Sequence, residues 1–171
     1  PNNLTSIEAS AFTGCSNLTT VKISETVTRI GAAAFSTCYS LSDVELPPHL
    51  TSIDDEVFWS CASLKAVTLP AGIKAIGTRA FYYSGIQEAN IPEGGKLSFG
   101  SCGSLASITI PASVTYINPN ALEKSLSLTS IIWNTSETVQ QFIDLSDSNC
   151  LLYLNSDASV STGITKIKNV I

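Results

Sequence analysis

The chain has 171 residues, 44% of them hydrophobic and only 13% charged, with a formal net charge of -5. That supplies a sizeable apolar core, and an acidic balance without a basic patch argues against nucleic acid or an anionic membrane as partner. No apolar run approaches the roughly 18 residues that cross a bilayer, and no signal peptide is visible.

The first stretch places Pro1, Leu4, Ile7, Phe12, Cys15, Leu18, Val21 and Ile23 at spacings that then recur. Val27, Ile30, Phe35, Cys38, Leu41, Val44 and Leu46 fill the same slots next. Leu50, Ile53, Phe58, Cys61, Leu64, Val67 and Leu69 follow them. The period is 23 residues, and self-similarity at a fixed period of about 20 to 50 marks stacked units that cannot bury their apolar faces alone. The unit opened by Pro70 keeps Ile73, Ile76 and Phe81 but has Ser84 at the cysteine slot, and Ile86, Ala89 and Ile91 arrive one residue early. After Pro92 the segment Glu93 to Lys96 reaches Phe99 early, and the pattern resumes at Cys102, Leu105, Ile108, Ile110, Val114, Ile117 and Leu122. A partial turn gives Ser125, Leu128, Ile131 and Trp133. The repeats are therefore read over 1–133, with one shortened between 84 and 99.

Within a unit, the alternation in Ala66-Val67-Thr68-Leu69 predicts a short strand, and Leu50-Thr51-Ser52-Ile53 a second extended segment. Gly77 to Phe81 predicts a turn leading into one helical or 3₁₀ turn, too short to stand alone. From Asn134 the texture changes. Ser136 to Ile143 has an N-cap candidate and an apolar pair suited to a short helix. Cys150 to Leu154 and Ile164 to Ile171 read as strands. The span 134–171 is expected to cap the last unit or to join it to a following segment.

The unit resembles the BspA-like leucine-rich repeat of bacterial, Bacteroides-type cell-surface proteins. Ile110-Pro111-Ala112-Ser113-Val114-Thr115-Tyr116-Ile117 and Ile30-Gly31-Ala32-Ala33-Ala34-Phe35-Ser36-Thr37-Cys38 carry the likeness. It covers residues 1 to about 133 and departs at Glu93 to Lys96 and after Trp133. The resemblance implies a leucine-rich-repeat solenoid, a curved right-handed superhelix with a parallel sheet on its concave face and short extended or 3₁₀ segments elsewhere. It also implies display outside the cell, often for adhesion or host interaction. Methionine is absent. The chain is therefore expected to be a piece of a longer or processed protein, with any signal or anchor upstream of Pro1.

Cys15, Cys38 and Cys61 would stack as a ladder. A disulfide between adjacent coils is one reading, since an extracellular site permits it. Free inward thiols bonded to a neighbouring backbone group are the favoured one, because Ser84 and Ser125 fill the same slot. Three side chains in a row do not surround a metal. His49, the single histidine, sits in a Pro-Pro-His-Leu turn and reads as a solvated residue rather than a general base. Asp54-Asp55-Glu56 could offer carboxylates to calcium, but lacks the alternating ligands and turn glycine of a loop built for it, so a solvated loop is preferred. The Asn3, Asn17 and Asn134 sequons are explained by the abundance of Ser and Thr. No catalytic motif, cofactor fingerprint or metal set is found, and no enzyme activity is expected.

Function is then expected where the repeat is free to vary. Beside each strand's apolar residues run two columns: Thr20, Asp43, Ala66, Glu88, Ser107, Ser130, and Lys22, Glu45, Thr68, Asn90, Thr109, Ile132. From these, Lys22, Asp43, Glu45, Thr68, Glu88, Asn90 and Thr109 are candidate concave-face binding residues. A merely soluble sheet face is the alternative. A second candidate is an aromatic ridge of Trp59, Tyr82 and Tyr83 beside the shortened unit. The expected molecule is a monomeric, non-enzymatic binding module. It would be secreted or at the cell surface and would meet a host or microbial surface protein or glycan. The alternative is a structural spacer displaying another domain.

Overall fold

Five phenylalanine rings form one unbroken column. Phe12 stacks on Phe35, Phe35 on Phe58, Phe58 on Phe81 and Phe81 on Phe99, at centroid separations of 5.2, 5.8, 5.4 and 5.1 Å. In this computed structural model the described residues are 3–91, 99, 101–114 and 121–134, with the backbone of 151–154 and 169–170. The ring separations are close to the 4.7–4.9 Å that divides paired strands, so each 23-residue unit is one coil of a solenoid.

Each coil contributes short parallel strands. β1 (Ser6–Ile7) pairs with β3 (Arg29–Ile30), and β2 (Thr20–Lys22) with β4 (Asp43–Glu45). β5 (Ser52–Ile53) pairs with β6 (Ala75–Ile76). A second group runs in the order β7 (Glu88–Asn90), β8 (Ser107–Ile110), β9 (Ser130–Trp133), β10 (Leu151–Leu154) and β11 (Asn169–Val170). Every pairing is parallel and joins equivalent residues, such as Val21 to Val44 and Ile108 to Ile131. The second extended segment expected at Leu50 to Ile53 is β5.

One expected strand is missing. Residues 66–69 form no strand, so the sheet is divided between β4 and β7. The coil that follows is one residue short there. Its turn holds a single residue, Gly85, where Cys61 to Leu64 and Cys102 to Leu105 hold two, each closed by a bond from the Leu N–H to the Cys carbonyl. Gly85 N–H instead reaches Cys61 O at 3.2 Å, and Gln87 N–H reaches Lys65 O at 3.0 Å. A Cβ on Gly85 would collide with the carbonyl of Ala62. The coil thus closes by pressing bare backbone onto its neighbour, and β7 leaves the ladder of the coil before it.

The turn around each phenylalanine is not helical, contrary to the helical or 3₁₀ turn expected; no helix occurs among the described residues. Its N–H groups alternate in direction. Ala11, Thr13 and Cys15 donate back to Glu8, Ser10 and Phe12 within the coil, while Ser10, Phe12 and Gly14 donate across to Ala32, Ala34 and Ser36 of the next. Half of the donors are thereby spent between coils, and no i→i−4 ladder can form. Two left-handed positions bracket the turn. One is occupied by Ser10, Ala33, Glu56 and Arg79, the other by Gly14, Thr37, Ser60, Tyr83, Ser101 and Lys124, with φ between 53° and 77°.

Between these elements the core is continuous. Val27, Leu50 and Ile73, then Leu41, Leu64, Leu105 and Leu128, line up with the phenylalanines and are shielded from solvent. Burial of each such side chain stabilises the fold by about 1.5–3 kcal/mol. Trp133 ends β9 in the core and donates from Nε1 to Val114 O at 3.2 Å. Of the expected terminal unit 134–171, β10 covers all but the first residue of the predicted Cys150 to Leu154 strand. β11 falls within the predicted Ile164 to Ile171 strand, and both extend the same parallel sheet. The helix expected from Ser136 to Ile143 and the segment Glu93 to Lys96 lie outside the described residues.

Candidate functional site

The strand registers bring the variable columns together as the spacing requires. Thr20 faces Asp43 and Lys22 faces Glu45 across β2 and β4. Glu88, Ser107 and Ser130 form one row and Asn90, Thr109 and Ile132 the other across β7, β8 and β9, with Tyr153 of β10 next in register. Lys22 Nζ lies 3.0 Å from Glu45 Oε2, with both side chains largely exposed. The hydrogen bond and charge of Glu45 raise the Lys22 pKa above its ordinary value. The seven candidates do not form one surface row. Lys22, Asp43 and Glu45 belong to the two-stranded group; Glu88, Asn90 and Thr109 belong to the five-stranded one. Thr68 is exposed on the unpaired stretch between them.

The aromatic candidates lie on the turn column. Tyr82 and Tyr83 meet edge to face at 4.4 Å with their planes at 73°. Trp59 occupies the Tyr82 slot one coil earlier, half-buried, and its ring stacks on neither tyrosine. Two cations that composition did not single out stand beside the pair. The Arg79 guanidinium is 5.6 Å from the centre of the Tyr82 ring and 3.7 Å from Glu56 Oε1. Lys124 lies 3.5 Å from Glu123. The Tyr82 phenol is held below its ordinary pKa chiefly by the Ser101 hydroxyl. Burial opposes this, while Tyr83, Lys124 and Arg79 add to it. Ser101 Oγ is itself buried and approaches the phenol outside strict hydrogen-bond geometry, so it acts as a polarising dipole rather than through a full hydrogen bond. The slot period could have found Lys124, which stands one full coil beyond Ser101 in the Tyr83 column.

The remaining polar candidates have partners of their own. Asp54 pairs with Arg29 at 3.1 Å, Asp55 Oδ1 accepts the Thr78 N–H at 2.6 Å, and Glu56 faces Arg79. Their carboxylates are thus drawn to three different groups. His49 is exposed in a turn closed by Leu50 N–H on Pro47 O. Among the described residues no three His, Cys, Asp or Glu side chains converge as a metal site, and no helix is long and apolar enough to cross a membrane. Cys38, Cys61 and Cys102 are free and buried, whereas Cys15 is free and exposed.

Parallel coils of about 23 residues, a phenylalanine column and an inward leucine or isoleucine after each phenylalanine turn define a leucine-rich-repeat solenoid. The pattern described as BspA type leucine rich repeat region, in six copies, matches residues 1–96 and 95–169, and the chain belongs to that family. It is similar in fold to a leucine-rich repeat protein from Bacteroides ovatus, with 23% identity and a TM-score of 0.68 over 98% of this chain. A leucine rich cell surface protein from Faecalibacterium prausnitzii shares 33% identity over 78% of the chain with a TM-score of 0.56. A leucine rich repeat protein of T. pallidum gives 24% identity and 0.61 over 94%. The chain spans 55%, 30% and 70% of those three structures respectively. No curated protein matches it.

Proposed function

We propose that the chain is a non-enzymatic recognition module of a surface-displayed or secreted protein, using its solenoid surface to hold a host or microbial protein or glycan. One observation carries the reading: a repeated apolar interior presents non-repeating outward residues in register, as in the rows Glu88-Ser107-Ser130 and Asn90-Thr109-Ile132. A scaffold of this kind supports recognition because each coil can vary its outward residues without disturbing the core. The cell-surface description of the F. prausnitzii neighbour supports the location. The test is solid-phase binding of the purified chain to immobilised extracellular-matrix proteins and polysaccharides, with Glu45→Lys and Glu88→Lys as comparisons. Saturable binding weakened by either substitution is expected. Absence of binding across the panel would leave the spacer role in its place.

A further inference from the structure

Tyr83 occupies a position that should repel it. Its column otherwise holds Gly14, Thr37, Ser60, Ser101 and Lys124, and its φ of 56° is left-handed, where a bulky side chain is a poor choice. Burial does not compensate, since Tyr83 is 55% exposed. The ring is nevertheless fixed, edge-on against Tyr82, whose own ring carries the Arg79 guanidinium. Around this pair lie donors on Arg79 and Lys124 and acceptors on Glu56 and Glu123.

We infer that the Tyr82–Tyr83 ridge, with Arg79, Glu56 and Lys124 beside it, is a platform for a sugar ring of a neutral hexose polysaccharide. This deepens the recognition reading and rests on it. An exposed tyrosine face matches the apolar C–H face of a pyranose, and the ring's negative quadrupole attracts those hydrogens. Carboxylates accept from sugar hydroxyls while guanidinium and ammonium donate to them. Each cation here is already paired with a carboxylate, Arg79 with Glu56 and Lys124 with Glu123, so the site offers no net charge to select an anionic chain. A protein partner fits less well. Such an interface needs about 800 Å² on each side around a desolvated anchor pocket, and this is a narrow ridge.

The test is affinity electrophoresis of the whole chain through gels containing laminarin, yeast mannan or polygalacturonate. Retardation by laminarin or mannan is expected. It should fall at least tenfold in Tyr83→Gly and persist in Tyr83→Phe. Because glycine suits φ 56°, Tyr83→Gly should melt no lower than the parent, which separates lost binding from lost folding. No retardation in the neutral gels, retardation by polygalacturonate alone, or retardation unchanged in Tyr83→Gly would each overturn the platform. Binding to a matrix protein without glycan binding would remove the platform while leaving the recognition module standing.

Discussion

The thiol of Cys61 donates to the carbonyl oxygen of Phe35, one coil back, at 3.2 Å. The relation repeats along the stack: Cys38 reaches Phe12 O at 3.2 Å, Cys102 reaches Phe81 O at 2.9 Å, and Ser125 Oγ reaches Phe99 O at 2.9 Å. Each slot thus links the end of one phenylalanine turn to the phenylalanine of the preceding coil. A thiol and a hydroxyl serve equally because both are small donors. Ser84 differs, bonding Phe81 O of its own coil at 2.6 Å while lying 3.6 Å from Cys102 Sγ.

These buried thiols should be chemically silent in the native state. Burial pushes Cys61 and Cys102 up to about 12, from an ordinary 9.0. The thiolate is the nucleophile, so at pH 8 iodoacetamide should label Cys15 promptly and Cys61 and Cys102 only on unfolding, as read by peptide mass spectrometry. The folded chain holds these protons more tightly than the unfolded one. Their contribution to stability is therefore complete below about pH 9 and is lost as pH rises from 9 towards 12. Cys61→Ser/Cys102→Ser should lose less stability than the parent over that window in denaturant titrations.

The phenylalanine column should be uneven in strength. Phe58 has a ring on either side and no exposure, whereas Phe12 stacks on Phe35 alone and is 41% exposed. Phe58→Ala should cost about 3–5 kcal/mol, since a cavity between coils cannot collapse easily. Phe12→Ala should cost clearly less, because a stack frays from its ends. Equal costs in chemical denaturation would contradict that one-dimensional picture.

What the sequence made legible was whatever a side chain at a fixed spacing can announce. Phe12 to Phe81, the Cys/Ser slot from Cys15 to Cys61 and the pair Lys22–Glu45 lie where the 23-residue count puts them, and the residue lost before Ile86 and the 19-residue step from Asn90 to Thr109 show as breaks in that count. The left-handed turn positions were hidden because Ser10, Ala33, Glu56 and Arg79 share no side-chain chemistry. At Ser10, Ala33 and Glu56 that conformation goes with an N–H donated to the next coil, 22 residues on, rather than with a local preference. For the same reason Thr68 reads as a strand residue by alternation yet has no strand partner: pairing depends on the length of the coil that follows. Lys124 became a neighbour of Tyr82 only through stacking, whereas Arg79 meets that ring from within the same turn, three residues back.

The shortened coil should tolerate nothing larger than glycine at its turn. Gly85 faces Ala62 O, a backbone atom that cannot swing aside. Gly85→Ala should cost about 1–3 kcal/mol through overpacking. Gly103 follows Cys102 as Gly85 follows Ser84, and a Cβ there would meet nothing within 4 Å. Gly103→Ala should therefore be close to neutral, and thermal melting of the two variants distinguishes a steric demand from a general need for glycine in this turn.

The left-handed columns should be open to improvement. Ser60 has φ 57° in the slot that Gly14 fills at 77°, and its N–H donates to Tyr82 O at 2.8 Å. That backbone bond survives any side-chain change. A non-glycine residue in this conformation loses about 1–2 kcal/mol to the clash of Cβ with its own carbonyl. Glycine removes the clash but loses roughly 0.5–1 kcal/mol more chain entropy on folding. The balance favours Ser60→Gly by up to about 1.5 kcal/mol. The reverse change, Gly14→Ala, should destabilise, and by less than a central site would, because it lies in the first coil. A Ser60→Gly midpoint below the parent's in urea would mean that the neighbouring coils, rather than residue strain, set the energy of the turn.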